Sequence, residues 1–166
     1  MKQACRRALV ALLGVSMLAG PASARCAREE DQAAFDIQAL KSELVVLAVG
    51  ACKQEDKYNE FVVRFRPQLI TSDHVLSQWF VRTHARRAAA QQNAFVTDLT
   101  NLRALHAQRM GSDYCPRNSA IWAELAALPA TTDLATYAAG KNLMPEELRT
   151  TCMPPAPPAP ARRPAR

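Results

Sequence analysis

Glycine is scarce in this chain, with five residues in 166, at Gly14, Gly20, Gly50, Gly111 and Gly140. At these positions no G-x-G-x-x-G or Walker loop can be written, which removes the usual phosphate cradles. No serine sits in a G-x-S-x-G elbow, so a nucleophile oriented by a base and a third group has no visible seat. Close pairs of metal ligands are missing too. From Cys26 onward the smallest cysteine interval is 26 residues, which excludes C-x2-4-C zinc pairs, the C-x-x-C redox motif and the C-x-x-C-H haem site. His74, His84 and His106 are ten and twenty-two residues apart, and a structural or surface role suits each. Acidic neighbours occur at Glu29-Glu30-Asp31, Glu55-Asp56 and Glu146-Glu147. Adjacent residues on a helix do not face one another, so each group reads as helix N-terminal or solvent-face charge. These absences point away from an enzyme, and no cofactor or metal is expected.

Long hydrophobic runs are nearly absent as well. Residues 8–20, "ALVALLGVSMLAG", fall short of the roughly 20 that span a bilayer core. Lys2, Arg6 and Arg7 precede the run, and Pro21-Ala22-Ser23-Ala24 follows it. A basic start, a short apolar centre and a small-x-small site make an export signal, so residues 1–24 are expected to be removed after Ala24. Arg25 ahead of Cys26 argues against lipid attachment. The longest later apolar run, residues 44–52, has nine residues, so no transmembrane segment is expected after cleavage. The expected destination is the periplasm or the medium.

The formal net charge of +6 comes from 21 basic and 15 acidic residues. Lys2, Arg6 and Arg7 belong to the signal, and Arg162, Arg163 and Arg166 to the last five residues, which leaves residues 25–152 with 15 of each sign. The folded part is therefore neutral, and no nucleic-acid partner is expected. Residues 153–166, "MPPAPPAPARRPAR", hold six of the 11 prolines. Such a segment cannot build a core and is expected to be a disordered, polyproline-like tail, whose arginines suit an acidic envelope surface.

What is present between residues 25 and 152 is helical periodicity, with no segment alternating at period two. Ile37, Leu40, Leu44, Leu47 and Ala51 form one stripe, and Tyr58, Phe61, Val62, Phe65 and Leu69 a second. Pro67 is expected to bend or end that second helix near Arg66, with a turn over residues 68–71 and a new helix capped by Ser72. That third helix would carry Leu76, Trp79, Phe80 and Thr83. Helical spacing continues through Ala88, Phe95, Leu99, Leu102 and His106 until Gly111 offers a cap, and "RTHARR" leaves open whether residues 72–110 are one helix or two. A helix with Ile121, Trp122, Leu125 and Leu128 stops at Pro129, a short one covers residues 132–140, and Pro145 starts another. The expectation is a single all-α bundle of about five to six helices over residues 25–152.

Cys26, Cys52, Cys115 and Cys152 remain after the signal, an even number in an exported chain, where pairing is the default. Three connectivities are open. The layout favours a nested pair, Cys52–Cys115 inside Cys26–Cys152, each bond stabilising the fold by about 4 to 5 kcal/mol at most.

The densest aromatic and arginine region, "YNEFVVRFRPQL" and "LSQWFVRTHARR", makes Arg64, Arg66, Arg82, Arg86, Arg87, Tyr58 and Trp79 a candidate binding face, since arginines and aromatics carry much interface energy. The competing reading keeps the aromatics in the core with arginines reaching outward from the same helices. The succession "ALKSELVVLAVGACK", "YNEFVVRFRPQL", "WFVR", "FVTDL" and Cys115, covering residues 38–115, resembles small exported helical bacterial proteins with paired cysteines that are themselves uncharacterised. The resemblance implies export and the Cys52–Cys115 pairing, and transfers no function. The expected role is a non-catalytic exported protein that acts by binding, as accessory, inhibitor or envelope-associated factor, with a protein or acidic envelope partner. One alternative is a carrier whose apolar cavity is lined by Phe61, Phe65, Trp79 and Phe95. Another is a metal-dependent enzyme using His84 and His106.

Overall fold

A computed structural model describes residues 27–148. The expected signal over residues 1–24, the proline-rich residues 153–166, Cys26 and Cys152 lie outside the described residues. Every element in the described chain is helical. Three long helices carry it: α1 (Glu29–Val45), α2 (Glu55–His84) and α3 (Ala88–Met110). The expectation of five or six bundle helices is corrected to three, because the further α-segments are short: α4 (Tyr114–Asn118), α5 (Ala120–Ala127) and α6 (Leu134–Lys141).

Helix α1 is the central rod, packed against α2, α3 and α6. Its residues serve two apolar clusters at once. Ile37, Leu40 and Leu44 join Phe61, Phe65, Tyr114, Trp122 and Leu125, while Ala34, Phe35 and Ala39 join Trp79, Phe80, Leu99 and Met144. The Asp31 carboxylate accepts from the Arg28 backbone N–H at 2.8 Å, which satisfies a donor that helix starts leave unpaired. At its other end α1 widens into a π-helical turn, Val46–Ala51, in which Cys52 N–H donates to the Leu47 carbonyl at 3.2 Å.

Helix α2 runs unbroken through Pro67, against the expected bend near Arg66 and new start at Ser72. A proline inside a helix leaves the carbonyl four residues back without its donor. Here that carbonyl belongs to Val63, which is 75% exposed, so water can meet it. Meanwhile Phe61, Phe65, Leu69, Ser72, Leu76, Trp79 and Phe80 form one continuous buried stripe that offsets the lost backbone bond. Gln68 adds a tie, its Nε2 donating to the Thr132 carbonyl at 2.9 Å and its Oε1 accepting from Leu134 N–H at 2.8 Å.

The "RTHARR" stretch does divide residues 72–110 in two. At Ala85 the chain takes a positive φ of 47°, followed by a 3-10 turn over Ala85–Arg87. Gly111 ends α3 with a φ of 56°, the conformation glycine adopts without penalty. Asp133 caps α6 by accepting from Ala135 N–H at 3.1 Å, and Glu146–Leu148 form a 3-10 turn. Cys52 and Cys115 are joined as a disulfide with their Cα atoms 5.7 Å apart. Among the described residues no helix is long and apolar enough to cross a membrane.

Candidate functional site

The first turns of α2 and the length of α5 diverge to leave an open groove of about 740 Å³. Its floor is aromatic and aliphatic, made by Phe61, Phe65, Trp122 and Leu125, and Ala123 and Ala126 form the far wall. The wall is low because α5 presents small residues at positions three apart. Lys57, Glu60 and Arg64 rim the opening, with Val63 at its outer edge.

The groove's shape is fixed by polar ties beneath and beside it. Trp122 Nε1 donates to Gln54 Oε1 at 2.6 Å, and Ser119 Oγ meets the same oxygen at 3.3 Å. Ser119 therefore serves the loop ahead of α2 instead of capping α5, whose start has no side-chain cap. The Arg64 guanidinium donates to the Leu128 carbonyl where α5 ends. On the outer side of α5, Glu124 accepts from Tyr137 at 2.8 Å and pairs with Lys141. These two hydrogen bonds hold the Glu124 carboxyl below its usual range.

Behind the groove lies a buried charge network. Glu43, 3% exposed on α1, accepts from Tyr114 Oη at 2.7 Å, and its other oxygen faces Arg103 Nε at 3.7 Å. Burial and the bond to Glu43 push the Tyr114 hydroxyl far above its normal range. Burial lowers the Arg103 guanidinium, with Glu43 opposing that effect. A second buried carboxylate, Asp31, is fully enclosed and pairs with Arg82 at 2.6 Å. The acidic run at residues 29–31, read as N-terminal or solvent-face charge, thus includes one interior residue.

The candidate binding-face residues are distributed along α2 and past its end. Tyr58 stands beside Phe61, with ring centroids 6.2 Å apart, and burial raises its hydroxyl pKa. Arg64 rims the groove, and Arg66 is exposed outside its lining. Trp79 is 5% exposed and belongs to the other cluster, where its ring meets Phe35 edge-on at 4.9 Å. Tyr58 and Trp79 are thus about 31 Å apart along the helix axis. Arg82 is engaged by Asp31, whereas Arg86 and Arg87 are exposed after the helix ends.

Of the residues named for an apolar cavity, Phe61 and Phe65 line the groove, while Trp79 and Phe95 pack on Phe35 at the far end. His84 stacks on Phe80 at 5.7 Å, and His106 meets the edge of Tyr114 at 6.3 Å. His84 closes α2, whereas His106 lies about 27 Å along α3 from its start at Ala88. Among the described residues no group of three metal-ligating side chains converges. Sequence reasoning missed the alanine wall of α5, Gln54 and the Glu43–Tyr114–Arg103 network. Ala123 and Ala126 at helical spacing between Trp122 and Leu128 were the one visible signal.

The sequence matches no family model, and comparison with curated proteins and with solved structures gives no match.

Proposed function

We propose that this is a non-catalytic exported helical protein that acts by binding, and that it docks the apolar face of a partner protein's helix in the groove between α2 and α5. The single observation behind this reading is the groove itself, about 740 Å³ of open space over an apolar floor. Its alanine wall lets a helix approach closely, and apolar anchors in such a groove carry most of the energy of this mode of recognition. Lys57 and Arg64 at the rim favour acidic residues flanking the partner's apolar stripe. Export to the periplasm or medium, carried by the signal-like residues 1–24, belongs to the same proposal.

The test fills the groove without touching the core. Ala123 and Ala126 are exposed, so Ala123→Trp and Ala126→Glu should fold like the parent. Partner capture from the exporting cell is then compared across parent, both variants and Lys57→Glu. Loss of one protein from all three variants supports the reading, and capture indifferent to all three overturns it. A lipid-like adduct in the native mass of the parent that Ala123→Trp removes would favour the carrier role instead.

A further inference from the structure

The outer face of α2, opposite its buried stripe, is not used by the groove except at Glu60 and Val63. At about 100° per residue, Val63, Pro67, Ile70, His74 and Val81 fall on one narrow strip, at steps of four, three, four and seven that follow a coiled-coil seam with Ser77 in the skipped position. Val63, Ile70 and Val81 are 75%, 61% and 53% exposed, three of the most exposed large apolar side chains among the described residues. From Val63 to Val81 the strip runs about 27 Å, or five turns.

Its two ends carry opposite charge. Glu55, Asp56 and Glu60 outnumber Lys57 at the start of α2, and Arg86 and Arg87 follow its end. None of these six takes part in an ion pair among the described residues. The strip is complementary to itself when reversed. About a two-fold axis near residue 72, Val63 faces Val81, Ile70 faces His74, and the acidic start of one helix lies along the arginines at the end of the other. A parallel pairing would set acid on acid and arginine on arginine.

We propose that the face is covered by a second copy of this chain, α2 against α2 in antiparallel register, giving a two-fold dimer in which each contact occurs twice. The proposal does not depend on what occupies the groove, because the seam lies on the outer side of α2 and shares only Glu60 and Val63 with the groove's edge.

Sedimentation equilibrium of the disulfide-intact exported chain tests it. A monomer–dimer equilibrium is expected, weakening with salt because the end charges are exposed. Ile70→Glu should raise the dissociation constant at least about tenfold, and Arg86→Glu with Arg87→Glu should weaken it as well. Adding Asp56→Lys and Glu60→Lys to that double variant restores opposite charges across the seam and should recover the dimer. A chain that stays monomeric at every concentration overturns the proposal. So does a dimer indifferent to Ile70→Glu, or a charge reversal that does not rescue. A monomer that binds phosphatidylglycerol vesicles through this face, and loses them on Ile70→Glu, overturns it in favour of a lipid surface.

Discussion

The two ends of the molecule solve the same packing problem by different means. At one end the close of α1, the start of α2, α4 and α5 meet around Phe61, Phe65, Tyr114 and Trp122, with Cys52 bonded to Cys115. At the other, the start of α1 and the facing parts of α2 and α3 enclose a lattice of rings. Phe35 lies 4.9 Å from Trp79 and 5.2 Å from Phe95, and Trp79 lies 4.9 Å from Phe80. The first end holds segments of five and eight residues, too short to persist without tertiary support. The second is built from the three long helices, whose rings interlock. A covalent bond adds to packing for the short segments what interlocking rings add for the long ones, and the groove opens at the bonded end.

The sharpest way to break this comparison is to remove the bond. Replacing Cys52 and Cys115 by alanine releases a loop of 63 residues and should cost about 4 kcal/mol on the loop-entropy account. Urea unfolding of parent and variant measures it. Next comes the buried pair at the opposite end. Asp31→Ala removes both the Arg82 ion pair and the bond from the Arg28 backbone, an expected loss of about 3 kcal/mol. The disulfide should remain formed in that variant, which intact mass after alkylation checks.

Tyr114→Phe is milder, about 1 to 2 kcal/mol, and carries a pH signature. In the parent the buried hydroxyl keeps its proton above the ordinary value of 10.0, while the unfolded chain releases its own. The folded state then binds more protons, so unfolding free energy falls as pH rises above that value. The contribution is fully present below pH 10, and in Tyr114→Phe the alkaline loss should be shallower. The smallest effect has the opposite sign. Ala85 holds a positive φ of 47° that glycine adopts freely, so Ala85→Gly should raise the melting midpoint, by about 1 kcal/mol in stability.

Much of the fold was legible because apolar spacing survives in every long segment. The stripes at Leu40, Leu44 and Leu47, at Phe61 and Phe65, and at Leu76, Trp79 and Phe80 all turn inward, and Gly111 ends α3 as expected. Pro67 misled because local backbone cost outweighs packing only where the freed carbonyl is buried, and a one-dimensional pattern does not say which side of the helix meets water. Asp31 and Glu43 were illegible for a related reason. Their partners, Arg82 and Tyr114, stand 51 and 71 residues away, and nothing local marks a carboxylate as interior. The groove needed both α2 and α5 in place, since its alanine wall means nothing until Phe61 and Trp122 are brought together.

The division between a bonded end and a packed end is tested most directly by amide hydrogen exchange with and without reductant, under conditions where the reduced chain still folds. Reduction should strip protection from residues 46–52 and 114–127 first, while residues 29–40, 72–84 and 88–100 keep theirs. Uniform loss along all helices, or earlier loss around Phe35 and Trp79, would contradict it.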